Sequence, residues 1–110
     1  MTVEKLVNSL PVSPLSVCDN QREIKGVYIG DLLSWVMGRA KQDDAWITIM
    51  SNINIVAVAA LADTACIILA EGVTPDKNVI DTANSKGINL LTTEKTAYEI
   101  AVLISELIGQ

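Results

Sequence analysis

Apolar positions along the chain follow two alternating patterns, short continuous runs and longer stretches with helical spacing. Residues 46–50 and 65–70 are apolar almost throughout, which is typical of parallel strands that are covered on both faces. Apolar residues three and four positions apart predict helices over residues 55–62, from 75 to about 86 and from 93 to about 108. A further strand is predicted at residues 88–91.

The first third of the chain has a less regular pattern. Residues 3–10 have helical spacing, and the two prolines after them end that helix before a short predicted strand at residues 15–18. Residues 19–30 are polar and contain glycine, which predicts a loop with a brief extended segment at residues 27–29. A helix follows over residues 32–37. The pattern leaves open whether residues 1–14 pack on the core, pair with another subunit or are mobile.

Side chains that can accept hydrogen bonds from the first turn of a helix precede the predicted helices: Thr2, Asp31, Asn54, Thr74 and Thr93. Gly87 is predicted to end the fourth helix. The short connections between alternating strands and helices imply parallel crossovers. We therefore expect one α/β domain over residues 1–110, with three layers, a mostly parallel sheet of four to five strands, and helices on both faces.

Composition excludes several kinds of chemistry. The sequence has no histidine, which removes histidine-based acid–base catalysis and every metal site that needs this residue. Its two cysteines, Cys18 and Cys66, form no metal-binding motif, and no activated nucleophile is evident. The formal charge of −5 argues against a protein that binds nucleic acid. We expect a protein without catalytic activity, resident metal or cofactor.

The sequence shows no membrane signal. No apolar run approaches the roughly 20 residues that span a bilayer. The first ten residues carry Glu4, Lys5 and Asn8 within their apolar stretch, unlike a signal peptide. We therefore expect a cytoplasmic protein that does not engage membranes.

Polar loops follow three of the predicted strands, at residues 51–54, 70–74 and 92–96. Open parallel sheets bind ligands beyond the carboxyl ends of their strands, where helix N-termini favour anions. The predicted ligand-facing residues are Ser51, Asn52, Asn54, Glu71, Gly72, Thr74 and Thr93. Gly72 would permit close approach of the backbone, and Glu71 favours a modestly charged ligand unless Lys95 offsets it. Three of these residues could equally serve as helix caps alone: Asn54, Thr74 and Thr93.

Three segments, residues 26–38, 46–59 and 66–72, resemble a group of small stand-alone DRTGG-domain proteins, and the resemblance covers about residues 15–108. It implies a regulatory domain that pairs, similar in fold to the N-terminal domain of HPr kinase/phosphorylase. The Asp-Arg of the family's motif corresponds to Ser51-Asn52 and its Thr-Gly-Gly to Ala70-Glu71-Gly72, so only Gly72 is kept. Loss of the Asp-Arg charges weakens the case for nucleotide binding. Thr96 matches a threonine that often opens the family's last helix.

Two functional hypotheses remain. The first is a regulatory or ligand-sensing module that binds a small anionic metabolite or nucleotide. The second, implied by the resemblance, is an assembly subunit of an iron-only hydrogenase or a related electron-transfer complex. Under both, we expect a homodimer, because an apolar patch on so small a domain needs cover; the patch comprises Val27, Tyr28, Ile29 and Trp35.

Overall fold

The computed structural model describes residues 1–109; Gln110, which belongs to the expected domain, lies outside the described residues. Helices and strands alternate along the chain. In chain order they are α1 (Val3–Ser9), β1 (Ser13–Ser16), β2 (Gly26–Ile29), α2 (Leu33–Arg39), β3 (Asp44–Thr48), α3 (Asn54–Ala62), β4 (Cys66–Leu69), α4 (Lys77–Lys86), β5 (Leu90–Thr92) and α5 (Ala97–Ile108).

The strands form one sheet in the order β1-β5-β4-β3-β2. Strands β2, β3, β4 and β5 run parallel to one another, and β1 lies antiparallel to β5. Every residue of β3 and β4 is buried, because these interior strands are covered on both faces. They correspond to the two apolar runs of the sequence.

Helices cover both faces of the sheet. On one face, Trp46 and Ile67 lie in a core with side chains of α2, α3 and α4. On the other, Ile47 and Ile68 pack with side chains of α1 and α5. The three consecutive crossovers share a face because each right-handed connection advances the sheet by one strand. The predicted three-layer α/β domain with a mostly parallel sheet is confirmed.

Helix α1 is part of the core. Val3 and Leu6, on its inner side, are fully buried among residues of the sheet and α5. The Thr2 side chain accepts a hydrogen bond from the Lys5 N–H at 3.1 Å, so the predicted first cap is confirmed. Within residues 1–109, no helix is long and apolar enough to cross a membrane.

The structure corrects the limits of the outer strands. Strand β1 begins two residues earlier than predicted, because pairing with β5 sets its register from Ser13 to Ser16. Residues predicted as a loop with a brief extended segment form β2, which pairs with β3 along its whole length. The sequence signal for β2 was weak because only one of its sides is paired and its side chains are only partly buried.

Two of the predicted helix caps have other roles. Asp31 is not the cap of α2: its Oδ1 accepts hydrogen bonds from Thr48 Oγ1 at 2.8 Å and from the Ile49 N–H at 3.0 Å, across to the end of β3. Asn54 is the first residue of α3 itself, and its N–H donates to Asn52 Oδ1 at 2.9 Å. For Asp31, the end of β3 offers partners that compete with the cap geometry, whereas α3 begins one residue earlier than predicted and so includes Asn54.

The predictions for the last two helix starts are also wrong, although the predicted end of α4 is confirmed. Helix α4 begins three residues after Thr74, and α5 is capped by Thr96 rather than Thr93. The Thr96 N–H donates to the Glu99 carboxylate at 3.0 Å and its hydroxyl accepts from the Glu99 N–H, which forms a capping box. The bond from the Thr96 N–H lowers the pKa of Glu99. Gly87 ends α4 with a left-handed φ of 73°.

Candidate functional site

The predicted ligand-facing loops begin at one edge of the sheet. Thr48, Leu69 and Thr92 are paired in register at the carboxyl ends of β3, β4 and β5. The loops that follow these strands therefore start side by side, as the parallel arrangement predicts. They divide into an accessible part and a part that is closed by hydrogen bonds.

The loop between β3 and α3 is the accessible part. Asn52 and Asn54 are exposed, and Ser51 is half-buried. One amide oxygen, Asn52 Oδ1, is used within the loop by the Asn54 N–H. The remaining amide groups of the two asparagines face solvent and can donate or accept hydrogen bonds.

The loop between β4 and α4 is a tight turn. Glu71 and Gly72 have left-handed φ values of 60° and 73°, and the Val73 N–H donates to the Ala70 carbonyl at 3.2 Å. Two consecutive positive φ values with this bond define a type I′ turn. A Cβ added at Gly72 would lie 2.6 Å from Glu94 Oε2, at the end of an exposed side chain that can move aside, so the positive φ is the main reason for glycine here.

Hydrogen bonds join this turn to the loop between β5 and α5. The Glu71 N–H donates to the Lys95 carbonyl, and the Gly72 N–H donates to the Thr93 carbonyl, both at 2.8 Å. These two amides are therefore already partnered and are not free to cradle an anion. The side chains of Glu71 and Thr74 remain exposed.

Thr93 faces the protein interior. It is only 4% exposed, and its hydroxyl donates to the Pro11 carbonyl at 2.7 Å while accepting from the Lys95 N–H at 3.2 Å. Its hydroxyl thus ties the start of β1 to β5. Sequence alone could not distinguish this role, because a threonine just after a strand has the same pattern whether it faces solvent or the core.

The sequence prediction missed Asp31 as a residue of this edge. Its bonds to Thr48 and Ile49 bring the loop after β2 beside the loop after β3. Exposed apolar side chains, Leu32, Ile49 and Ile53, occupy the same two loops. The sequence contained a signal for this position. If residues 26–29 had been predicted as a strand, Asp31 would have been placed just after the carboxyl end of that strand.

The described residues offer little redox or metal chemistry. No group of three or more His, Cys, Asp or Glu side chains in residues 1–109 is arranged to hold a metal ion. Cys66 is buried, and this burial raises the pKa of its thiol to about 12. The Cys66 thiol is therefore protonated near neutral pH and is a packing residue of the core.

The fold defines a small three-layer α/β domain with a mostly parallel sheet. The sequence profile of the DRTGG domain matches residues 5–107, and the chain belongs to this family. The resemblance noted in the sequence is thus confirmed. Comparison with curated proteins gives no sequence match.

One solved structure has the same fold over nearly the whole chain. It is described as the crystal structure of the CBS and DRTGG domains of the regulatory region of Clostridium perfringens pyrophosphatase, complexed with the activator diadenosine tetraphosphate. The two share 17% sequence identity with a TM-score of 0.71. The alignment covers 99% of this chain and 46% of that one, so the present chain spans about half of the regulatory region.

The turn gives a physical reason for the glycines of the family's motif. In the resemblance noted in the sequence, the family's Thr-Gly-Gly corresponds to Ala70-Glu71-Gly72, and Glu71 and Gly72 at the two glycine positions have positive φ. Glycine adopts this conformation without steric cost, whereas another residue loses roughly 1 kcal/mol. In this chain, Glu71 occupies one of these two positions despite that cost. Its carboxylate lies at the carboxyl edge of the sheet.

Proposed function

We propose that this chain is a non-catalytic regulatory module that binds a small anionic metabolite or nucleotide at the carboxyl edge of its sheet. The proposal is supported by membership of the DRTGG family and by the activator in the described structure of the pyrophosphatase regulatory region. The observation that carries the location is the exposed pair Asn52 and Asn54 beside exposed Ile49 and Ile53. Amides next to apolar side chains suit a ligand with a polar and a flat apolar part.

The proposed contacts differ among the predicted residues. Ser51, Asn52 and Asn54 would bind the ligand directly, at the N-terminal end of α3, where the helix dipole favours an anionic group. Glu71 and Thr74 would border the site, and Gly72 would shape its wall. Thr93, whose hydroxyl is buried, would position the neighbouring loop.

The charges at this edge favour a modestly charged ligand. Asp31 and Glu71 are exposed carboxylates on two of the loops, and Glu94 lies beside Gly72. Lys95 is the nearby cation, on the loop after β5. A triphosphate would meet more repulsion here than a monophosphate or a carboxylate.

A binding screen with paired variants tests this proposal. Nucleotides and phosphorylated metabolites are screened by thermal shift, and the strongest binder is titrated by calorimetry. We expect Asn52→Ala to weaken binding about tenfold, which corresponds to one lost hydrogen bond. We expect Glu71→Gly to strengthen binding of an anion and to raise the free energy of unfolding by about 0.5–1 kcal/mol, because the left-handed strain is relieved.

The control is Asn8→Ala, which removes an exposed amide from α1 on the opposite layer. It should leave affinity unchanged. Equal loss of affinity in the Asn52 and Asn8 variants would contradict the location, and absence of any binder in the screen would contradict the ligand-binding function.

We also propose that the chain forms a homodimer. Ile29 and Trp35 are about half exposed, at 50% and 52%, and Val27 and Tyr28 are partly buried. Exposed apolar side chains at these positions on so small a domain support an interface. Light scattering from micromolar to millimolar concentration should show twice the 11.8 kDa mass of one chain, and a monomer throughout would contradict the dimer.

The alternative function is an assembly subunit of an iron-only hydrogenase or a related electron-transfer complex. Trp35 favours a protein partner, since its ring is half exposed and lies 3.7 Å from the guanidinium of Arg39. Exposed tryptophan and arginine often dominate protein interfaces. Affinity capture from native extract with the wild-type chain and with Trp35→Ala should recover the redox subunits only with the wild type, and recovery with both variants or neither would count against this alternative.

A further inference from the structure

Strand β2 ends the sheet with unpaired peptide groups. It pairs with β3 on one side only, and the Gly30 N–H at its end donates to the Ile47 carbonyl at 3.2 Å. Peptide groups alternate in direction along a strand. The N–H and C=O groups of Val27 and Ile29 therefore point away from β3, and no partner is present for them in residues 1–109.

This edge lacks two of the usual features that prevent strand pairing, a bulge and a proline. The register of β2 with β3 runs without interruption from Gly26 to Ile29, with no bulge and no proline. Sheet edges of this kind accept a further strand unless they are covered. An open groove of about 510 Å³ lies beside the edge on the α5 side, between β2 and a face of α5 that contains Ala101, Ser105 and Ile108.

The edge is complementary to a second copy of itself. In an antiparallel pair with a two-fold axis at Tyr28, Val27 faces the partner's Ile29. The same register sets Lys25, whose side chain is 71% exposed and whose Nζ lies 3.6 Å from Asp43 Oδ2, opposite the partner's Asp31. Asp31 is exposed, and its Oδ1 already accepts bonds from Thr48 and Ile49. Opposite charges at both ends and apolar residues between them fit this pairing, and they select an identical strand over an arbitrary extended peptide.

We propose that two copies of this chain join edge to edge through antiparallel pairing of their β2 strands, which forms one sheet of ten strands. This inference rests on the homodimer proposed above and specifies its surface. Tyr98, which is 76% exposed, lies on the same stripe of α5 as Ala101 and Ser105 and would add contact between the two α5 helices. The pairing would bury the exposed side chain of Ile29 and satisfy the outward peptide groups.

Hydrogen exchange of individual amides tests the pairing without a mutation. At concentrations where light scattering shows the dimer, the Val27 and Ile29 amides should exchange at least about 100-fold more slowly than after dilution to monomer. The Gly30 amide, which is bonded within the protomer, should change far less. A dimer in which the Val27 and Ile29 amides exchange fast would overturn this inference and leave the homodimer itself standing.

The matched mutation is Ile29→Pro. The N–H of Ile29 points outward, so its replacement by proline breaks no hydrogen bond within the protomer. In the dimer, the substitution removes two symmetry-related hydrogen bonds. We expect the dissociation constant of the dimer to rise by at least about 100-fold, with the far-UV spectrum of the monomer retained. Leu61→Lys, at a 71% exposed apolar position on α3, is the control and should leave the dimer unchanged.

The two proposals fail in different ways. A wild-type monomer at millimolar concentration overturns both the homodimer and its surface. A dimer that persists in Ile29→Pro, or that Leu61→Lys disrupts instead, overturns the β2 surface alone. If Ile29→Pro does not fold, Ile29→Lys replaces it with the same expected loss, since it removes the central apolar contact without changing the backbone.

Discussion

The two edges of the sheet are built differently. At one edge, β1 carries Pro14, and its register with β5 shifts between Pro14 and Ser16. Both features discourage a further strand. At the other edge, β2 has neither, and Ile29 is half exposed. The difference is that β1 has two features that hinder a further strand, whereas the outward peptide groups of β2 have no partner within the described residues.

The β1 edge is also fastened by buried side chains. Asn89, which is 4% exposed, accepts hydrogen bonds from the Cys18 and Asp19 N–H groups and donates to the Asp19 and Ala65 carbonyls, at 2.9–3.0 Å. The Ser16 hydroxyl donates to Asn84 Oδ1 at 2.8 Å. The side chains of Asn84 on α4 and of Asn89, just before β5, thus hold the chain at and after β1. Fewer such bonds hold the chain after β2, where the Trp46 indole donates to the Gly30 carbonyl at 2.9 Å and Thr48 donates to Asp31.

The largest effect on this comparison is expected from Asn89→Ala. The substitution leaves two backbone N–H groups and two carbonyls near the β1 edge without their partner. The bond to the Ala65 carbonyl is buried and the other three are part-buried, so we expect the free energy of unfolding to fall by about 2–3 kcal/mol. Urea denaturation followed by circular dichroism measures this change.

Asn78→Ala is the control for that measurement. Asn78 is exposed on α4, and its side-chain amide has no hydrogen bond within the described residues. We expect a change within about 0.5 kcal/mol. Similar destabilisation by both substitutions would show that the Asn89 amide does not fasten this edge.

A smaller effect is expected from Thr93→Val. Valine keeps the shape of the side chain but can neither donate to the Pro11 carbonyl nor accept from the Lys95 N–H. We expect the free energy of unfolding to fall by about 1.5 kcal/mol, because two hydrogen bonds are lost. The same variant should keep its affinity for the ligand within about twofold if Thr93 positions the neighbouring loop without contacting the ligand. A much larger loss of affinity would place its hydroxyl in contact with the ligand.

The same contrast shows which features a sequence can reveal. The interior strands were predictable because burial on both faces leaves a continuous apolar run, as at residues 65–70. Strand β2 was predicted only as a brief extended segment at residues 27–29 within a loop, since a partly buried edge strand has no long apolar run. Helix caps failed at Asp31 and Thr93 because their hydrogen-bond partners, Thr48 and Pro11, are distant in the chain.

The candidate site was predictable in position but not in detail. The alternation of strands and helices placed the loops after β3, β4 and β5 at one edge, and their registers bring them together. The closure of two of these loops by the amides of Glu71 and Gly72 depends on backbone geometry that residue types do not encode. Glu71 in a left-handed turn is an example, because glycine is the usual residue there.

The smallest effect is expected from Pro14→Ala, which removes one of the two features that protect the β1 edge. Proline restricts the unfolded chain, so its loss should lower the free energy of unfolding by about 0.5 kcal/mol. The shift in register beside residue 14 and the bonds of Asn89 would remain. We therefore expect light scattering to show the same mass as the wild type at every concentration. Assemblies larger than the wild type would mean that Pro14, rather than the irregular register, prevents this edge from pairing. The difference in association between the two edges would then depend on that single residue.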